Sequence, residues 1–126
     1  MTEFKQHPDG MVEVVRDPPF YWDRELKPIT LRRWCELFSN LEYRFLVENL
    51  VQVPGTGEVV ADIKTIWVGH DLMVEKDRIY VFETMVADST GSRYFPHLSE
   101  AEARSFHANE VERQEKRAAE IAAGRG

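Results

Sequence analysis

The stretch "EYRFLVENLVQVPGTGEVVADIKTIWV", residues 42–68, decides how this chain folds. Tyr43, Phe45, Val47, Asn49, Val51 and Val53 alternate with Glu42, Arg44, Leu46, Glu48, Leu50 and Gln52, the period of two that marks a half-buried strand. Pro54-Gly55-Thr56-Gly57 turns the chain, and residues 59–68 resume the alternation with Val59, Ala61, Ile63, Thr65 and Trp67 on one face. The reading is a long hairpin. Gly55 and Gly57 have the spacing of a phosphate loop, but no Lys-Ser/Thr follows and no helix opens there, so the hairpin takes precedence.

Beyond a Gly69-His70-Asp71 corner and a Glu75-Lys76-Asp77-Arg78 turn, "IYVFETMV" (79–86) is apolar on both faces except for Glu83 and Thr84. That is the pattern of a central strand covered on both sides. Residues 88–92 read as an exposed loop and 93–98 as a short final extended segment. Before the hairpin, Thr30 is placed to cap a helix over 31–39 whose stripe of Leu31, Trp34, Cys35 and Phe38 packs on the sheet. Ser99-Glu100-Ala101-Glu102 is a capping-box start for a helix reaching about residue 122. Ala101, Ala103, Phe106, Ala108 and Val111 dock it, and past Val111 the apolar stripe thins into a solvated tail.

Near the start, a His7-Pro8-Asp9-Gly10 turn between Phe4-Lys5-Gln6 and residues 11–15 predicts a small hairpin that extends or caps the sheet. Residues 17–23, with Pro18-Pro19 and Phe20-Tyr21-Trp22, form an extended loop. Together these elements predict a single α+β domain over residues 1–126: an antiparallel meander of three to five strands packed against a short helix and a long C-terminal helix. Residues 1–29 are the hairpin and aromatic loop, 30–111 the core, and 112–126 an exposed helical tail.

Composition narrows the function classes. A chain of 126 residues that is 43% apolar can bury about two thirds of its unfolded surface, so it folds through most of its length. Its 16 basic residues against 22 acidic ones give a net charge of -6, and the basic clusters at Arg32-Arg33 and 113–117 are diluted by glutamates. No concentrated basic face exists to displace counterions, so nucleic acid is not the expected partner. A single cysteine excludes an intramolecular disulfide and a Cys-based zinc cluster and fits a cytoplasmic setting. Cys35, on the expected buried stripe, reads as a packed core thiol. The first residues carry no basic and apolar leader, and no run approaches the roughly 18 apolar residues of a membrane span.

Candidate chemistry centres on His70 and Asp71 at the strand end, with Glu83 on the next strand and His107 or His97 from elsewhere. Adjacent strand residues point to opposite faces, however, and Gly and Asp are what any turn favours, so the corner reads first as structure. Glu83, interrupting an apolar strand, calls for a cation; Arg33, Arg44, Lys64 and Arg93 are the candidates for a structural ion pair. The four histidines, His7, His70, His97 and His107, form no metal-binding spacing, and no nucleophile or nucleotide signature occurs. No catalytic residue, metal or cofactor is assigned. The consecutive aromatics Phe20, Tyr21 and Trp22 either cover a core edge or present a partner surface.

Three separated motifs also occur in order: Thr65, Gly69 and Asp71 in "TIWVGHD", Phe82 to Met85 in "FETM", and Glu100-Ala101-Glu102-Ala103 at the last helix. In these the chain resembles a group of small proteins of unassigned function encoded by phages and prophages, especially of actinobacteria, over roughly residues 58–111. Members often place a histidine after the Gly-x-Asp, where this chain has Leu72, and another early in the last helix, which His107 matches only with relaxed spacing. The resemblance implies a phage accessory product acting in the cytoplasm of a bacterial host. The expected function is non-enzymatic protein binding through Phe20, Tyr21 and Trp22, directed at a host or phage protein and including inhibition of host metabolism or defence. The alternatives are a small enzyme or metal protein built on His70, Asp71 and Glu83, and a minor virion component.

Overall fold

The computed structural model describes residues 4–6, 12–15, 17–73, 75 and 77–124. In chain order the elements are β1 (Phe4–Gln6), β2 (Val12–Val14), β3 (Tyr21–Trp22), β4 (Pro28–Ile29), α1 (Leu31–Phe38), α2 (Leu41–Arg44), β5 (Phe45–Gln52), β6 (Val59–Trp67), β7 (Phe82–Asp88), β8 (Gly91–His97) and α3 (Glu100–Gly124). The α+β meander forms: β5, β6, β7 and β8 pair antiparallel in sequence order. β1 pairs with β2 and β3 with β4 in separate two-stranded ladders, so the N-terminal hairpin does not extend the main sheet. Its His7-Pro8-Asp9-Gly10 turn lies outside the described residues, as do Lys76 of the second turn and the last two residues.

Several boundaries move for physical reasons. Residues 42–44, read as strand, instead belong to a helical turn over Leu41–Arg44 because the Asn40 side chain caps it, accepting from Tyr43 N (3.3 Å). A register shift between Phe45 and Val47 then brings Val47, Asn49 and Val51 opposite Thr65, Ile63 and Ala61. The third strand begins at Phe82 rather than 79, although Val81 O still accepts from Val68 N (2.7 Å). The final segment is a full strand. It joins β7 through a turn in which Asp88 Oδ1 accepts from Thr90 N (2.9 Å) and Thr90 Oγ1 (2.6 Å).

α1 starts where Thr30 accepts from Arg33 N (3.1 Å). Its inward arc is Trp34, Leu37 and Phe38; Leu31 and Cys35 are exposed, which corrects the reading of Cys35 as a core thiol. At 100° per residue Leu37, Trp34 and Phe38 span an arc of about 100°, and Cys35 falls outside it. α3 begins as a cap in which Glu102 N donates to Ser99 Oγ (3.1 Å), while the Glu102 carboxylate reaches back to Leu98 N (3.2 Å). No helix among the described residues is long and apolar enough to cross a membrane.

The inner sheet face and α3 make the core. Opposed pairs run across β6 and β7 as Trp67–Phe82, Thr65–Thr84 and Ile63–Val86. One apolar cluster gathers Leu37, Trp67, Val81, Phe82 and Ala103, and a second gathers Val51, Ala61, Ile63, Val86 and Ala118. The threonine row lies between them. Ala103 and Ala118 are about 22 Å apart along a helix, close to the roughly 20 Å that separates Ala61 from Trp67 along β6, so one helix spans both clusters. The seating stripe of α3 is Ala103, His107, Glu110, Gln114 and Ala118, while Ala101 and Ala108 are exposed. The expected exposed tail is therefore docked as far as Ala118. β7 is covered on one face only: Phe82, Thr84 and Val86 are buried, whereas Glu83, Met85 and Ala87 on the outer face are half-buried.

The threonine row continues as a chain of hydrogen bonds. His107 Nε2 meets Asn49 Oδ1 (2.7 Å), His107 Nδ1 meets Thr65 Oγ1 (2.7 Å), Thr65 Oγ1 meets Thr84 Oγ1 (2.6 Å), and Thr84 Oγ1 meets His97 Nε2 (2.9 Å). Asn49 Oδ1 can only accept, so His107 carries its proton on Nε2 and takes the Thr65 hydroxyl proton at Nδ1. Each hydroxyl then donates once and accepts once, and His97 Nε2–H starts the run. Protonating His107 at Nδ1 would set two donors face to face.

Burial holds both imidazoles below the usual histidine range, and the nearby Arg104 charge adds to this for His107, whereas Glu102 opposes it for His97. An unfolded histidine takes up its proton as pH falls through about 6.5, while the folded ones resist, so stability present above that pH is lost below it. The slope is at most about 1.4 kcal/mol per pH unit for each histidine. Glu83, whose carboxyl burial pushes up, acts in the opposite sense. Urea denaturation of the chain and of Glu83→Gln should therefore show lower stability at pH 5.5 than at pH 7, the drop being larger in Glu83→Gln. Equal stability at the two pH values in both proteins would contradict the neutral-histidine core.

Candidate functional site

A glycine with no side chain lets two indoles meet the end of β6. Gly69 has φ 81°, and a Cβ there would sit 2.4 Å from Trp67 Cζ2 and 2.6 Å from Trp34 Cδ1. Trp34 Nε1–H donates to Val68 O (2.9 Å), and Trp67 Nε1–H donates to Trp22 O (3.0 Å). The aromatic loop is laid on the same corner: Trp22 N donates to Gly69 O (2.9 Å), and Tyr21 bridges His70. Tyr21 and Phe38 flank Trp34 with ring centroids 5.0 and 4.7 Å away, and Phe20 meets Tyr21 edge-on.

These contacts leave a cavity of about 450 Å³ walled by Phe20, Tyr21, Trp22 and Trp34, with Pro19, His70 and Asp71 completing it. Phe20 is 47% exposed and forms the rim. The Asp23 loop behind the wall is fixed by Asp23 Oδ1, which accepts from Glu25 N (3.0 Å) and Lys27 N (2.9 Å). Arg24 ties that loop to the rest: its N–H donates to Tyr43 Oη (2.7 Å) and its guanidinium pairs with Glu100 (2.7 Å), which also holds Arg104 (2.9 Å). Glu100 sits in the first turn of α3, where the helix dipole favours a carboxylate, and its two arginine partners hold it below the usual range against the opposing effect of burial.

Asp71 is a turn residue as well as a wall. Its Oδ1 accepts from Met73 N (3.2 Å) and Tyr80 N (3.0 Å), which closes the loop between β6 and β7. With Asp71 bonded to backbone amides, the exposed His70 is not part of an oriented acid–base pair. Glu83 lies on the outer face, half-buried; desolvation raises its carboxyl and His70 works against that rise. The expected ion pair for Glu83 does not form. Arg33 pairs with Glu36 (3.2 Å), Lys64 with Glu48 (3.4 Å) and Arg93 with Asp88 (2.9 Å), while Arg44 lies over Phe38 (4.5 Å).

The structure thus brings Phe20, Tyr21, Trp22, His70 and Asp71 into one pocket and leaves Glu83 in electrostatic reach of His70. His107 is elsewhere: it faces Thr65 and Asn49 on the inner side of the sheet, opposite to Glu83. Trp34 is the wall residue that sequence reasoning counted only as core. Its helical stripe signalled burial correctly, and the cavity on its other side leaves no trace in periodicity. Among the described residues no group of three His, Cys, Asp or Glu side chains is placed to hold a metal ion. What the cavity presents is an aromatic surface with one carboxylate and one imidazole at its edge.

Gly69→Ala tests whether the corner holds the pocket together. Positive φ and the collision with both indoles should cost about 2–4 kcal/mol in urea denaturation. Gly55→Ala, at φ 87° with open space around it, should cost about 1 kcal/mol. Equal losses at the two sites would show that the indoles do not depend on Gly69. Comparison with protein-family models, with curated proteins and with solved structures found no match to this chain.

Proposed function

We propose that this protein is a non-enzymatic binding protein that grips a protein partner through the Phe20-Tyr21-Trp22 pocket. The observation that carries this reading is the wall itself. Four aromatic side chains surround a cavity of about 450 Å³, and two of them are anchored by hydrogen bonds, Trp22 through its backbone to Gly69 and to the Trp67 indole, and Trp34 through its indole N–H to Val68. Rigid aromatic anchors in a formed pocket are what interface hot spots are made of, because little ordering entropy remains to be lost on binding. The size suits one or two inserted side chains. The motif resemblance to phage and prophage proteins supports a setting inside a bacterial host, with the partner a host factor or a defence component whose action is blocked.

Phe20 provides the test, since its exposure makes substitution compatible with folding. Proteins retained from a bacterial lysate by the full chain should be lost with Phe20→Asp, and a purified partner should bind Phe20→Ala at least about 2 kcal/mol more weakly, roughly thirtyfold. Identical capture by the full chain and Phe20→Asp would count against the pocket as the contact surface.

A further inference from the structure

We infer that the pocket receives one arginine side chain of the partner, its guanidinium laid against the aromatic wall and its charge met by the Asp71 carboxylate. This rests on the protein-binding reading and names what that site recognises. Aromatic faces attract cations through their quadrupole, and the guanidinium is the cation that best combines ring stacking with weak hydration. The wall supplies Phe20, Tyr21, Trp22 and Trp34 around a single space. Among the described lining residues Asp71 is the one carboxylate, and none is a lysine or arginine that would answer that charge from within.

Three further observations favour a positive guest. The turn is closed through Asp71 Oδ1 alone, so Oδ2 stands outside the turn's own hydrogen bonds. Glu83, half-buried on the outer face within electrostatic range of the lining His70, forms no ion pair with the four cations expected to neutralise it, which are engaged elsewhere. The chain as a whole carries a charge of -6, which draws a basic partner surface. The same chain already uses this contact internally: Arg44 lies 4.5 Å above the Phe38 ring and 4.9 Å from that of Phe45. An aliphatic guest would use the rings but leave Asp71 facing apolar surface, at the cost of desolvating it.

The probes are N-acetyl-arginine amide and its uncharged isostere N-acetyl-citrulline amide, titrated into the full chain while the Trp22 and Trp34 indole N–H signals are followed by NMR. Arginine should give saturable shifts at both indoles, with citrulline about tenfold weaker. In Asp71→Asn the amide oxygen can still accept from Met73 and Tyr80 while the charge is gone, so most of that preference should disappear. Equal affinity for the two probes overturns the proposal and leaves an apolar pocket; no saturable shift with either also overturns it. Should Asp71→Asn fail to fold, the comparison of the two probes on the unaltered chain decides alone. Failure here is distinct from failure of the wider reading, because Phe20-dependent capture of a protein does not require that the guest be arginine.

Discussion

Two indole N–H groups tie the parts of this protein to one another. Trp34 carries α1 onto the backbone at Val68, just past the end of β6, and Trp67 reaches from β6 to the backbone of the aromatic loop at Trp22. Both pass over Gly69, the one position at that corner where a side chain would collide with each ring. A buried indole that found no acceptor would cost more than its burial returns in specificity, so each bond fixes a ring orientation as well as a contact. The pocket inherits its shape from these two orientations. Trp34 is held between Phe38 and Tyr21, Tyr21 is positioned by its pairing with His70, and the cavity is the space that remains.

The other half of the molecule is built on a different constraint. Where α3 crosses the centre of the sheet, the contact is polar: His107 bonds Asn49 on one side and Thr65 on the other, and Thr65 passes the run on to Thr84 and His97. Such a run contributes little net stability beyond an apolar layer of equal shape, because each group gave up water to join it. What it supplies is register. Sliding α3 by one turn would leave several buried donors and acceptors unmatched, a penalty that apolar packing alone does not impose. Farther along the helix, Glu110 accepts from Gln114 Nε2 (3.0 Å) and is clasped by Arg113, which holds its carboxylate low and lets a charged group lie against the sheet.

How much of this is legible in the residues follows from what periodicity measures. The β5–β6 hairpin is legible because Val51, Ala61, Ile63 and Trp67 recur with a period of two on either side of a Pro-Gly turn, and the structure buries them together. Thr65 and Asn49 fell on the inward phase of that same pattern, yet polar letters carry no sign of whom they will bond. The seating of α3 was hidden for the same reason. Its stripe contains His107, Glu110 and Gln114, so a search for apolar residues places the end of docking at Val111 when it continues to Ala118. The α2 turn shows the converse: Tyr43 is in phase with the strand, but the Asn40 cap and a contact between Tyr43 and Trp67 (5.0 Å) decide the backbone locally. The aromatic loop and the Gly-His-Asp corner, 47 residues apart in sequence between Trp22 and Gly69, were each visible as oddities. Their meeting depends on tertiary pairing that no local pattern encodes.

The pocket has an anchored floor and an exposed rim. The floor residues Trp22 and Trp34 are anchored through their own backbone or indole hydrogen bonds, and the loop that carries Trp22 is braced at its far end by Arg24 against Tyr43 and Glu100. Because Glu100 also belongs to the first turn of α3, the pocket loop and the helix that seals the core share one electrostatic clasp. Phe20, edge-on to Tyr21, keeps nearly half its surface in water. A guest of the proposed kind would meet a floor whose rings are already anchored, the arrangement in which the free energy of contact is least eroded by lost entropy.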